Sequence, residues 1–421
     1  MTLPADSGHV ITWLVITVSI TGVIVRPFDW PEFIWAVAGA ASLVIFKLLP
    51  PMAAWAGVLK GLDVYLFLVG MMSLAEAARQ EGLFDWLAGH AVRGAKGSAS
   101  RLFLLIYVVG IVVTTFLSND ATAVVLTPAV YAAAKTAKAK PLPYLFICAL
   151  IANAASFVLP ISNPANLVVF ASHMPPLGQW LARFGVASVL SILVTFIVLR
   201  FSQRTTLRGS IETEVRIEPL SFSGKIAGLG IVMTGLALIV SSAFDLQLGL
   251  PTFIAGLLTV VVVLIIKREG PWRTMRDISW SVLPLVAGLF VLVEALNTTG
   301  VLAVLGDQLK ALTAHSDVQA GWISGTVIAF ACNLVNNLPA GLIAGAAVHA
   351  AHVPDKVSGA VLVGVDLGPN LSVTGSLATI LWLTAIRREG EDVSAWTFLK
   401  LGLVAMPPAL IAALAGLLLV P

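Results

Sequence analysis

Charge is what this chain has least of. Its 421 residues hold 25 Lys and Arg and 22 Asp and Glu, 11% charged against 58% hydrophobic. Average soluble domains carry about 25% charged residues, so a soluble globule is excluded. A mean hydropathy of +0.96 makes it a polytopic membrane protein. The formal charge of +3 is small, so nucleic acid is not an expected partner. Cysteine is almost absent. Cys148 and Cys332 both lie in apolar segments, which argues against a structural disulfide and a typical zinc site, and no cofactor is expected. No secretory leader is expected either: His9 to Val25 has no basic n-region and no convincing cleavage site, so it reads as a retained helix.

Long apolar runs dominate what is there. Ten full spans are expected, at roughly 9–26, 31–49, 62–80, 143–173, 178–200, 224–244, 250–267, 280–299, 356–387 and 396–420. Two more apolar stretches, 101–134 and 320–352, are each long enough for two helical arms and are broken in the middle. The segment 82–100 reads as an interfacial helix or loop.

The two halves repeat. Gly70, Glu76 and Gly82 recur as Gly288, Glu294 and Gly300 at an offset of 218, and the same offset carries Ser118 and Asn119 onto Asn336 and Asn337. Repeats of this kind mark transporters. Reading both broken stretches as re-entrant hairpins puts all of the 25 Lys and Arg on one face except Lys47, Lys60, Arg183, Lys310 and Lys356. Single crossings would split them far more evenly. The positive-inside rule therefore favours hairpins. Each half then holds five spans and one hairpin, so the halves have inverted topology. The expected organisation is an N-terminal repeat 1–201, a cytoplasmic linker 202–223 and a C-terminal repeat 224–421. The fold class is all-α, with about ten transmembrane helices, two re-entrant hairpins and unwound mid-membrane helices.

Candidate functional residues sit at the breaks. Asp120, in Ser118-Asn119-Asp120-Ala121-Thr122, has no charged neighbour between Arg101 and Lys135. A carboxylate at that depth must face water, a partner or a substrate, or carry a proton. Its counterpart in the second tip is Leu338, so the repeat loses its symmetry there. The span 143–173 contains Leu159-Pro160-Ile161-Ser162-Asn163-Pro164-Ala165-Asn166, and 356–387 contains Asp366-Leu367-Gly368-Pro369-Asn370 with Thr374-Gly375-Ser376. Proline removes backbone donors, and non-helical backbone at membrane depth is tolerated where it is buried or lines a wet cavity. Two such breaks at matching positions point to the substrate site, where half-helix N-termini aim N–H groups at ligand oxygens. Substrate contacts are expected from Ser118, Asn119, Ser162, Asn163, Asn166, Asn336, Asn337, Asn370, Thr374 and Ser376. Proton coupling is expected from Asp120 and Asp366, since a buried carboxylate binds and releases protons closer to neutral pH.

Other polar residues read as structural. Glu76 can pair with Arg79 at i,i+3, and Asp63 starts a span. His349 and His352 share a ligand spacing, but no metal site is expected there. Trp13, Trp30, Trp35, Trp55, Trp86, Trp180 and Trp272 mostly fall near expected interfaces, as an aromatic belt would. The linker mixes Arg204, Arg208 and Arg216 with Glu212, Glu214 and Glu218.

The run Phe116-Leu117-Ser118-Asn119-Asp120-Ala121-Thr122-Ala123-Val124-Val125-Leu126-Thr127-Pro128 resembles the first-half signature of the bacterial arsenical pump membrane proteins. Asn336-Asn337-Leu338-Pro339 and Asp366 to Thr379 resemble the second-half signatures. The resemblance covers nearly the whole chain and places it in the ion transporter superfamily. It implies export of arsenite and antimonite in exchange for protons across the bacterial inner membrane, by an elevator-type movement. In some members a cytosolic ATPase subunit is a partner. Some members carry an acidic residue where this chain has Asn153, which shifts weight onto Asp120 and Asp366. Arsenite near neutral pH is an uncharged trihydroxide that amides and hydroxyls suit. Tight thiolate capture needs about three cysteines, so oxygen and nitrogen contacts are expected. The lack of Lys or Arg in the clusters argues against phosphate or arsenate, and Asp120 disfavours a dicarboxylate. The competing reading is a sodium/proton antiporter of the same superfamily using the same two aspartates. A non-transporting scaffold would not need the repeated breaks.

Overall fold

The computed structural model describes residues 7–170, 174–212, 218–244 and 246–419. His173, Glu214, Arg216 and Pro421 lie outside the described residues. No strand forms among the described residues; one isolated bridge joins Ser98 to Ser210. The first half runs α1 (Ser7–Val25), α2 (Glu32–Ile45), α3 (Pro51–Lys60), α4 (Leu62–Gln80), α5 (Leu83–Ala95) and α6 (Ala99–Leu117). It continues through α7 (Asn119–Ala121), a π-helical stretch Thr122–Leu126, α8 (Thr127–Thr136), α9 (Leu142–Ala154), α10 (Pro164–Phe170) and α11 (Leu177–Ser202). The second half holds α12 (Phe222–Ala243), α13 (Gly249–Lys267), α14 (Trp272–Asp277), α15 (Val282–Thr298) and α16 (Val301–Thr313). It ends with α17 (Asp317–Val335), α18 (Asn337–Ala351), α19 (Asp355–Leu367), α20 (Leu377–Arg388) and α21 (Ala395–Leu418).

The all-helical membrane architecture expected from the sequence is what forms. Seven described helices are each long and apolar enough to cross a bilayer, or nine when the bent pairs α3–α4 (45°) and α15–α16 (76°) count as single spans. The tally differs from ten plus two hairpins for a physical reason. α6 and α17, read as hairpin arms, are each 19 residues long and pass the length test, whereas α2, with 14 residues, and the broken spans α9–α10 and α19–α20 do not. Helices α3 and α16 form in segments that the span pattern leaves unassigned.

Glycines set the closest helix crossings. A Cβ on Gly70 of α4 would sit 2.4 Å from the carbonyl oxygen of Thr252 on α13, and one on Gly256 would sit 2.3 Å from the carbonyl oxygen of Gly70. Gly288 meets the backbone of Ala36 on α2 in the same way, at 2.7 Å. The two glycines related by the 218-residue offset thus do one job, letting helix backbones touch as membrane interfaces favour. Gly82 and Gly300, also so related, both turn the chain at positive φ, 72° and 79°.

The helices form two layers. α1–α4, α12, α13 and α15 pack together on one side; α6–α11 and α17–α21 form the other. α5 and α16 link them. Among the described residues, the interhelical ion pairs join groups that the charge pattern assigns to one face. Arg79–Asp277 (3.0 Å), Lys267–Glu81 (3.0 Å) and Lys135–Glu391 (3.9 Å) lie on the basic side, and Lys60–Glu294 (2.5 Å) and Arg183–Asp355 lie on the other. Trp180 corrects one expectation. It is fully buried, stacks against Phe170 and Phe184, and donates its indole N–H to the Phe157 carbonyl at 3.1 Å. It braces the first broken helix rather than an interface. Trp30, Trp55 and Trp272 are exposed, as interface anchors are.

Candidate functional site between two hairpin tips and two broken helices

At the first tip α6 stops at Leu117 and Ser118 takes φ 98°, ψ 161° before α7 begins. Thr114 and Thr122 tie the two arms together by a hydroxyl–hydroxyl bond of 2.8 Å. At the second tip Asn336 takes φ 70°, ψ 153°, its Oδ1 accepts from the Leu338 N–H at 3.3 Å, and α18 begins at Asn337. The broken spans supply two more helix starts. Asn163 Oδ1 accepts from Ala165 N–H at 3.0 Å at the head of α10, and Ser376 Oγ accepts from Thr379 N–H at 3.1 Å at the head of α20.

A narrow cavity of about 10 Å³ lies where these breaks meet. Its polar wall is Asn119, Asp120, Asn163 and Asn337; its apolar wall includes Leu68 of α4, Val282 and Val286 of α15, and Leu338. Asn119 and Asn337 are each 2% exposed, and the Oδ1 of each has no hydrogen-bond partner. Buried amide oxygens are seldom left unpaired, so a donor from a ligand or water is the natural complement. Asp120 is half-buried. Asp120 and Ser118 also line an adjoining space of about 70 Å³ that reaches Glu76 and Asp277. Among the described residues neither space is lined by Lys or Arg.

Of the other residues singled out from sequence, most hold the breaks in shape. Ser162 accepts from Leu159 N–H at 3.1 Å and donates to the Thr115 carbonyl at 3.0 Å. Asn166 donates to the Ser156 carbonyl at 2.8 Å. Asn370 donates to the Leu150 carbonyl at 3.0 Å and accepts from Asn153 at 3.0 Å. Asn336 donates to the Thr374 carbonyl at 3.2 Å, and Thr374 donates to the Asn333 carbonyl at 3.1 Å. Asp366 is fully buried behind Asn163, whose Nδ2 donates to its Oδ1 at 2.8 Å; Oδ2 has no partner. The cavity does not touch it.

Sequence reasoning passed over Asn333. On α17 it donates to the carbonyls of Ala329 and Gly368 (2.9 and 3.0 Å) and accepts from Ser372 at 2.7 Å, clamping the second break. Its signal was an amide three residues before the tip in an otherwise apolar arm. The apolar wall from α4 and α15 had no signal. Glu76 pairs with Arg79 as expected, at 2.8 Å from Nε, and also takes Gln80 at 2.7 Å.

Comparison with known proteins matches this architecture. Residues 13–367 fit the model of the CitMHS family, described as citrate transporters. The resemblance to arsenical pump membrane proteins is borne out. The chain is 25% identical over 352 residues to the arsenical pump membrane protein of Yersinia enterocolitica and 24% identical to that of Escherichia coli strain K12, in each case 81% of this chain and 82% of the relative. A crystal structure of the Alcanivorax borkumensis YdaH transporter shares the fold, with a TM-score of 0.58, 15% identity and 98% of both chains covered. Together the family match and the helical architecture make this chain a multi-pass membrane transporter, and it belongs to the CitMHS, or citrate transporter, family.

Proposed function

We propose that this chain carries arsenite and antimonite, as their trihydroxides, out of a bacterial cytoplasm in exchange for protons. One observation carries the reading: Asn119 and Asn337, each with an unpaired amide oxygen, line one cavity together with Asp120. A neutral trihydroxide brings three O–H donors to such a set, and each bond satisfies an oxygen that burial otherwise leaves costly. Multiply charged carboxylates are disfavoured. No cation lines the cavity, and Asp120 would repel them. The names of the arsenical pump relatives support the same cargo.

In this reading Asp120 takes up the exchanged proton when cargo leaves. Asp366 holds Asn163 from behind and is the second member of the coupling pair. The two halves, 1–201 and 224–421, act as inverted repeats around the site. The layer that holds α4 and α15 offers the cavity Leu68, Val282 and Val286, an apolar strip along which the layer of α6–α11 and α17–α21 can slide without breaking polar bonds at the strip itself. That supports an elevator-type movement. A cytosolic ATPase subunit belongs to the reading as an added partner and would show as ATP-dependent uptake.

Everted vesicles test the core claim. Arsenite should accumulate when the lumen is acid, and collapse of the pH gradient should stop it. The same oxygens also suit an alkali cation, so a sodium/proton antiporter is the second reading. Sodium-driven proton movement that ignores arsenite would replace the first reading with the second.

A further inference from the structure

The two hairpin tips share one backbone turn and then differ in chemistry. Ser118 and Asn336 share positive φ and extended ψ, and each is followed at once by a helix. The next residues, Asn119 and Asn337, both present an unpaired amide oxygen. The residues after those, Asp120 and Leu338, both line the same cavity. One is a carboxylate and the other an isobutyl group that is 7% exposed. Matching places with unequal chemistry leave the cavity lined by a single carboxylate.

We infer that Leu338 is the specificity-determining residue of this cavity, excluding divalent cations by withholding a second carboxylate from the space that Asp120 lines. The inference rests on the proposed reading of the cavity as the cargo site. Two amide oxygens and two carboxylates would form an oxygen cage of the kind hard divalent cations take. With one carboxylate, a bound divalent ion keeps a net positive charge in a low-dielectric interior, which strongly disfavours it. A neutral solute pays no such penalty. The apolar face of Leu338 also lets the cavity close on a solute without solvating a second charge.

The test uses purified full-length protein in detergent with calcium chloride as the probe. Leu338→Asp should bind calcium at least about tenfold more tightly than wild type, a gain expected when a charge is neutralised at membrane depth. Leu338→Met should gain no calcium affinity. Moving the carboxylate, with Asp120→Leu and Leu338→Asp together, should return calcium binding to the wild-type level. Thermal unfolding shows whether each variant is folded, and where Leu338→Asp is not, Leu338→Glu supplies the second carboxylate. Calcium binding by wild type as tight as by Leu338→Asp, or retained in full by the double variant, overturns the inference. Arsenite uptake is measured separately. Failure of wild type to exchange arsenite for protons removes the proposed function, while the calcium contrast still judges Leu338.

Discussion

Asn163 Nδ2 donates to Asp366 Oδ1 across 2.8 Å, so the loop of the first broken helix is held by the end of α19 in the other half. Both side chains are at most 1% exposed. Asn163 uses its other end to cap α10, and it also lines the cavity. One side chain therefore couples the cavity wall, a helix start and a buried carboxylate. Asn163→Ala removes the bonds to Asp366 and Ala165, and a longer one to Ser156, and strands Asp366. It should lower stability by about 1–3 kcal/mol, the usual cost of orphaning a buried polar group, and thermal unfolding in detergent reads this. Asp366→Asn should keep the fold, because an amide oxygen still accepts from Asn163, yet lose proton-driven uptake. Full uptake by Asp366→Asn would leave that residue a purely structural role.

Asp120 gives a sharper separation of binding from coupling. Asparagine keeps its size and its oxygen but cannot exchange a proton. Asp120→Asn should therefore lose arsenite uptake driven by a pH gradient by about tenfold or more, as removal of a group used in an obligatory step does. Arsenite counterflow without a gradient should persist, since a neutral cargo needs no charge change to bind. Uptake with normal pH dependence in this variant would take Asp120 out of the mechanism.

These residues also show what a sequence can and cannot reveal. Lone polar side chains in apolar runs are costly and so conspicuous, and Asn119, Asp120, Asn163 and Asn337 stood out for that reason. The structure sets all four around one cavity. Asn166, Asn370 and Ser376 stood out equally, but they bond to backbone or cap a helix. Composition cannot separate a group that serves a break from one that faces a cargo; only the path of the chain around the break does. The helices were legible because burial in lipid needs long apolar runs. Leu68, Val282 and Val286 were not, because an apolar cavity wall reads like any apolar span. Trp180 misled for the related reason that indole suits both an interface and a core.

Gly70 and Gly288 test whether close helix approach matters in both halves. A methyl group on Gly70 would overlap the Thr252 carbonyl at 2.4 Å, and on Gly288 it would meet the Ala36 backbone at 2.7 Å. Backbone cannot turn aside as a side chain can. Gly70→Ala and Gly288→Ala should each cost about 1–3 kcal/mol, the range for overpacking, with Gly70→Ala the worse. Equal unfolding temperatures for wild type and both variants would mean that the α4–α13 and α2–α15 contacts adjust freely.

Glu81 offers a pH test away from the membrane interior. It lies just beyond the end of α4, where Ser223 and Ser221 donate to its carboxylate and Lys267 pairs with it at 3.0 Å. Partial burial alone would raise its pKa. The bond from Ser223, then the bond and charge of Lys267, outweigh that and hold it below the ordinary 4.5. A depressed carboxylate stabilises the fold above its unfolded value, and the contribution fades as pH falls through the lower folded value. The junction of α4, α12 and α13 should therefore weaken in Glu81→Gln at neutral pH. The gap in unfolding temperature to wild type should narrow as pH falls below 4.5, where the wild-type carboxylate also takes its proton. A gap that stays constant from neutral pH into that acid range would show that Glu81 acts through packing alone.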